Sequence, residues 1–252
     1  IVALIVRNVT FEFWGKHDSP RWRRGWEWAM VLGSALPAFL WGVGWANIVH
    51  GVPIDASHEY TGGLIDLLNP YALLGGLATL AIFLAHGAIF LELRTEGAVA
   101  ARARAVAARV SPAAALVGIG FLAWTVAAHG GVDVASALVA GVAAVCLLAA
   151  AALAGRAPGR AFAATTGAIL AFFTALFVDL FPHTMVSSLS GAFDMTLAQS
   201  ASSDYTLVVM TVVAVLLVPV VLAYQAWTYW VFRQRVSADG FREARSPLDL
   251  LD

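Results

Sequence analysis

Charge is the first thing this chain lacks: Asp, Glu, Lys and Arg make up 12% of its 252 residues, about half the roughly 25% carried by a water-soluble domain. So few charges cannot cover a solvent-facing surface, and with 60% apolar residues the composition excludes disordered and collagen-like chains. A net charge of −1 excludes a basic nucleic-acid-binding surface. The single cysteine, Cys146, lies in an apolar run, so no internal disulfide is available and the redox compartment cannot be read from cysteine usage. There is no Gly-rich phosphate loop, no HExxH and no GxSxG. The period-2 alternation of an outer-membrane barrel is also missing. What remains abundant is long apolar sequence.

A helix crossing a hydrocarbon core of about 30 Å needs about 20 mainly apolar residues. Six stretches qualify: Trp26–Ile48, Pro70–Leu93, Pro112–Ala128, Val134–Ala154, Phe162–Phe181 and Thr206–Phe232. A seventh, Ile1–Thr10, starts inside an apolar run without methionine. It has neither the basic leader nor the small-residue cleavage site of a signal peptide, and reads as the second half of a span in an N-terminally truncated chain. The expected architecture is an all-α polytopic membrane helical bundle of seven spans, the first partial. Residues 1–236 form its transmembrane domain and 237–252 a cytoplasmic tail.

Cationic loops stay on the cytoplasmic side of a membrane, and here they alternate. Lys16, Arg21, Arg23 and Arg24 follow the first span, Arg94, Arg102, Arg104 and Arg109 the third, Arg156 and Arg160 the fifth, and Arg233, Arg235, Arg242 and Arg245 the seventh. The loops near 49–69, 129–133 and 182–205 hold Asp55, Glu59, Asp66, Asp133, Asp194 and Asp204 but no Lys or Arg. The C-terminus is therefore expected inside. Trp26, Trp28, Trp227, Tyr229 and Trp230 would mark the inner headgroup level, and Tyr60, Tyr71, Trp124 and Tyr205 the outer one.

Ionisable groups at membrane depth are costly and mark function by default. His86 lies 16 residues beyond Pro70, about 24 Å along its helix, and is the histidine well inside a span. An imidazole there can ligate haem iron, relay a proton or bond a neighbouring helix. His17, His50, His58, His129 and His183 fall in loops or at boundaries, so a bis-histidine haem site is not expected from this chain alone, and the outer histidines lack metal-ligand spacing. Met30 is the residue nearest to pairing with His86, though an apolar filler role is the simpler reading. Asp179, three residues before Pro182, and Glu92, beside Arg94, sit at opposite span ends. Arg7 borders the first cytoplasmic loop together with Glu27, and Asp66 lies in the first outer loop. His86, Asp66, Asp179, Glu92 and Arg7 are the candidates for a proton or polar network. Pro37 and Pro219 interrupt two spans, as in transporters that bind substrate at broken helices, which keeps a secondary transporter open as a reading.

Several strings take the reading further. Phe11-Glu-Phe-Trp-Gly-Lys16, Pro20-Arg-Trp-Arg-Arg-Gly-Trp26, Trp41-Gly-Val-Gly-Trp-Ala-Asn-Ile48 and His50-Gly-Val-Pro-Ile-Asp55 resemble subunit II of the cytochrome bd quinol oxidases. So do Tyr60-Thr-Gly-Gly63, Leu67-Leu-Asn-Pro-Tyr-Ala-Leu-Leu-Gly-Gly76, His86-Gly-Ala88, Leu93-Arg-Thr-Glu-Gly97, Phe181-Pro-His-Thr-Met-Val-Ser-Ser188 and Pro219-Val-Val-Leu-Ala-Tyr-Gln-Ala-Trp227. The resemblance covers nearly the whole chain, least distinctively in its Ala-rich middle, and the alanine and arginine bias resembles an actinobacterial version.

The resemblance implies nine spans in a full chain, arranged as two four-helix bundles plus one helix, and an acidic proton-route residue in the part upstream of Ile1. It implies a partner, subunit I, that holds two haems b and one haem d and oxidises menaquinol or ubiquinol, and it implies a small accessory membrane subunit. This chain would then serve in the bacterial cell membrane as a non-catalytic scaffold that contacts lipid and holds a structural quinone or lipid. An assembly factor is the third alternative.

Overall fold

In the computed structural model, which describes residues 1–128 and 134–236, helices dominate. They are α1 (Val2–Phe13), α2 (Pro20–His50), α3 (Pro70–Arg94), α4 (Gly97–Ala128), α5 (Val134–Leu153), α6 (Pro158–Leu180), the short α7 (Leu197–Ser200) and α8 (Asp204–Val231). Six of them, α2 to α6 and α8, are long and apolar enough to cross a membrane. The protein is an all-α polytopic membrane bundle. The expected partial span is α1, a 12-residue helix running three residues past its expected end. His129, Asp133 and the tail 237–252 lie outside the described residues.

Helices α3, α4, α5 and α6 close into a four-helix bundle, each packed on its sequence neighbours and α6 returning to α3. Helix α2 packs on α3, and α1 on α2. Helix α8 has no buried residue; its end is tied back to the turn between α3 and α4, where Val236 N donates to Arg94 O at 2.8 Å and Glu96 N to Val236 O at 3.1 Å.

Alanine makes the bundle tight. Ala46, Ala72, Ala78, Ala107, Ala143, Ala161 and Ala168 are fully buried; small residues let membrane helices approach closely, where packing rather than water exclusion drives association. Larger rings fill the centre: Phe121 lies 4.9 Å from Tyr71 and 5.6 Å from Phe172, centroid to centroid. At the α2–α3 crossing, Gly42 faces Gly75 and Thr79 with no room for a methyl group.

Two expectations change. The span expected to begin at Pro112 begins at Gly97, with Pro112 inside α4. Alanine and arginine are strong helix formers, so Arg102, Arg104 and Arg109 ride on a helix rather than in a loop. Pro37 and Pro219 likewise stand inside unbroken helices, α2 and α8. Proline is tolerated in membrane helices where neighbouring groups re-satisfy the backbone. The unwound segment that a transporter-type site requires is thus not present at either proline.

Two of the three loops without Lys or Arg, 49–69 and 182–205, join into one cap. Val52 N donates to Val186 O at 3.1 Å and Ser188 N to Val52 O at 3.0 Å, while Ser187 Oγ donates to Ile54 O at 2.7 Å. A short antiparallel pair, β1 (His183–Met185) and β2 (Met195–Thr196), completes this cap, and Asp194 Oδ1 braces it by accepting from Ser187 N at 2.7 Å.

Candidate functional site

The polar groups inside the bundle fall into two sets, one below the cap and one near the arginine-rich end. Below the cap, Asn47 is buried on the last turns of α2; its Nδ2 donates to Val43 O and Leu67 O, both at 2.8 Å. Asn69 Nδ2 donates to Asn47 Oδ1 at 2.9 Å, while Asn69 Oδ1 accepts from Ala72 N at 2.8 Å and caps α3. A side-chain cap of this kind satisfies an otherwise orphaned N–H of the first helical turn. Asp66 stands beside this set but turns outward. Its Oδ2 accepts from Gly63 N at 2.7 Å, which closes an exposed loop turn.

Asp179 is half-buried on α6 and accepts from Ser136 Oγ of α5 at 3.2 Å. Tyr71 Oη and Thr125 Oγ1, both buried, lie 2.7 Å apart and join α3 to α4. Towards the middle of the membrane the bundle turns apolar, with Ala78, Ile82, Phe121, Ala143, Ala168 and Phe172 packed in one core.

Beyond that layer, His86 Nδ1 lies 2.7 Å from Thr165 Oγ1 of α6, and the imidazole stacks on Phe162 with centroids 4.6 Å apart. The Thr165 hydroxyl proton goes to Phe162 O at 2.9 Å. His86 Nδ1 is therefore the donor to Thr165, which fixes the neutral tautomer.

Further along α3, Glu92 is 7% exposed and its Oε1 lies 3.2 Å from Arg104 Nε of α4 in an ion pair. Arg104 Nε also reaches Gly155 O at 2.8 Å, tying the α5–α6 turn to the pair. Arg7 is exposed on α1 and lines an apolar groove of about 1040 Å³ with Phe11, Met30, Ser34 and Arg102.

The five network candidates are thus dispersed: among the described residues no two of them share a hydrogen bond or ion pair. Met30 lines the groove with Phe83, Gly87 and Phe90, while His86 turns to α6. Among the described residues no second imidazole or thioether stands opposite His86, so they do not form a two-ligand haem site. The partners Asn47, Thr165, Ser136 and Arg104 were not singled out from the sequence. Asn47 carried a usable signal, an amide inside the apolar run Trp41–Ile48. Arg104 was hidden by its assignment to a loop.

Comparison with known proteins gives a consistent result. The profile of the family described as cytochrome bd terminal oxidase subunit II matches residues 1–232. The chain is 34% identical over 244 residues to the cytochrome bd ubiquinol oxidase subunit 2 of Bacillus subtilis, covering 94% of this chain and 71% of that one. It is 30% identical over 277 residues to the cytochrome bd-I ubiquinol oxidase subunit 2 of Escherichia coli K12, at 95% and 73% coverage. A probable cytochrome oxidase subunit 2 of Haemophilus influenzae is 29% identical over 276 residues, at 95% and 73% coverage.

Proposed function

This chain belongs to the cytochrome bd terminal oxidase subunit II family, and from that premise we propose that it is the haem-free scaffold half of a quinol oxidase. Membership makes it a subunit of an oxidoreductase complex whose partner is subunit I and whose chemistry involves haem and quinol. The reaction proposed for the complex is oxidation of two quinols coupled to reduction of one O₂ to two waters. Quinol protons leave on one side and the protons for water are drawn from the other, so charge separates without a pump.

Two haems b and one haem d on subunit I would carry the electrons. This chain would hold that subunit in the membrane, shield it from lipid, place its own arginine-rich end and C-terminus in the cytoplasm, and contact a small accessory polypeptide. A structural quinone bound to this chain belongs to the same proposal. The observation that carries the scaffold reading is the use made of the buried polar groups: Asn47, Tyr71, Thr79 and His86 each bond across to another helix or loop of the same chain. The apolar layer around Phe121 and Phe172 separates the two polar sets, which favours a proton route running outside this four-helix bundle.

A His86→Ala variant of the assembled oxidase tests this. An interhelical hydrogen bond in a membrane protein contributes about 0.6 kcal/mol, and Thr165 keeps its bond to Phe162 O. Haem content is expected to be unchanged and quinol-driven oxygen uptake to fall by less than about threefold. Loss of a haem band, or loss of nearly all uptake with the haems in place, would overturn the scaffold role.

A further inference from the structure

Helix α4, at 32 residues, is about 48 Å long and exceeds a hydrocarbon core of about 30 Å. Its first turns therefore stand among the lipid headgroups, and they carry Arg104. Between these turns and the end of α5 runs an open groove of about 520 Å³, lined by Ala105, Ala108 and Pro112 of α4, Ala151 of α5, and two arginines, Arg104 and Arg156. A second cavity, about 410 Å³, shares Arg104 and adds Glu92 and Arg235. The two cavities together carry three arginines and one carboxylate.

Both groove arginines are held in place by the backbone. Arg156 Nη1 donates to Ala152 O at 2.7 Å. Arg104 is fixed through Nε to Gly155 O and Glu92, which leaves its two terminal amino groups with no bond to any described residue. Gly155 is positioned to allow this, with φ +72° and Arg104 Cγ at 3.5 Å from where a Cβ would be. Glu92 supplies the second indication of a ligand. Its Oε2 is buried and receives no hydrogen bond from any described residue, a costly arrangement unless a donor arrives.

We propose that this groove binds one anionic glycerophospholipid, with the phosphate between Arg104 and Arg156, an acyl chain along the alanine-lined floor, and a headgroup hydroxyl donating to Glu92 Oε2. Guanidinium forks match phosphate oxygens, and an apolar floor below a cationic rim fits a phospholipid better than a free anion. The alanines keep the floor open, since longer side chains would fill it. A glycerol headgroup meets all three demands of charge, hydroxyl and chain.

The proposal rests on the membrane-spanning reading and not on where the haems lie. It is tested on the detergent-purified, delipidated oxidase complex by native mass spectrometry with dioctanoyl phosphatidylglycerol, phosphatidic acid and phosphatidylcholine as probes. Phosphatidylglycerol is expected to bind about tenfold more tightly than phosphatidylcholine, a difference near 1.4 kcal/mol. Arg156→Gln and Ala108→Trp should each abolish that preference, whereas Arg102→Gln, which lines the other groove, should not. Glu92→Gln should remove the preference for phosphatidylglycerol over phosphatidic acid. Equal binding of the two glycerol and choline lipids, wild-type behaviour of both groove variants, or an unchanged preference in Glu92→Gln would overturn the assignment. Displacement by millimolar inorganic phosphate would reduce it to a small-anion site. Haem spectra of the same samples distinguish a failed lipid site from a failed subunit assignment.

Discussion

Replacing Gly42 by alanine is expected to destabilise the assembled subunit by about 3 kcal/mol, at the upper end of the cost of overpacking, and to reduce the yield of intact oxidase. A Cβ at this position would run into Gly75 O and Thr79 Oγ1, and would lie 2.7 Å from Gly75 C. Two of those atoms are backbone and cannot rotate away. Thr79 cannot yield cheaply either, because its hydroxyl is placed 2.8 Å from Ala38 O on α2 and within 3.3 Å of two carbonyls of its own helix. Helices α2 and α3 would have to separate and lose their interdigitated contact. Gly44, two residues on, has open space where a Cβ would stand, and Gly44→Ala should leave stability unchanged or raise it, because alanine is the better helix former. Fluorescence-detected size exclusion after heating a tagged complex compares the two. Similar melting of both variants would contradict the close α2–α3 crossing.

The second large effect is an asymmetry within the ion pair of Glu92 and Arg104. Arg104→Gln should cost about 3 kcal/mol, the scale for removing one partner of a buried pair, and lower the apparent melting temperature by about 8 °C. Glu92→Gln should cost less than about 1 kcal/mol. The reason lies in exposure: Arg104 is 58% exposed and Glu92 only 7%. Losing the arginine strands a carboxylate in a low-dielectric site, while losing the glutamate leaves an arginine that water and lipid phosphate still solvate. The same melting assay reads both variants. Equal losses, or a larger loss for Glu92→Gln, would show that the carboxylate is not the buried partner.

Most of the architecture was legible in the residues because a bilayer imposes few solutions. Runs such as Pro70–Leu93 and Val134–Ala154 cannot rest in water, and Asn69-Pro70 marks a helix start through capping and a fixed φ. The beginning of α4 was not legible, since a run of alanine and arginine reads equally well as a basic loop or as a helix that outreaches the membrane. Pro112 reinforced the wrong start because proline is favoured at first helical positions. The cap was also hidden. Its bonds pair Val52 with Val186 and Ser187 with Ile54, more than 130 positions apart, and no local pattern encodes such a pairing.

For the candidate polar groups, the sequence supplied positions without partners. His86 stood out as a costly residue at depth and Asp179 as an acid at a span end, yet their roles depend on Thr165 and Ser136, ordinary hydroxyls that become informative only when α5 and α6 are placed beside them. Glu92 was visible as an acid next to Arg94, but the cation that meets it is Arg104, one helix away. Arg94 instead donates through Nη1 to Arg233 O at 2.8 Å, helping to tether the end of α8. Spacing along one helix identifies a face; only packing identifies what that face meets.

The proposed division of labour makes this chain the haem-free partner in a two-subunit quinol oxidase. Its most direct test is a reduced-minus-oxidised visible spectrum, with quinol-driven oxygen uptake, on the detergent-purified chain alone and on the chain co-purified with subunit I. A colourless, inactive chain is expected by itself, and b- and d-type bands with oxygen uptake only in the two-subunit preparation. Haem bands in the isolated chain would make His86 a ligand and contradict the division of labour, and a colourless co-purified complex would contradict the oxidase assignment itself.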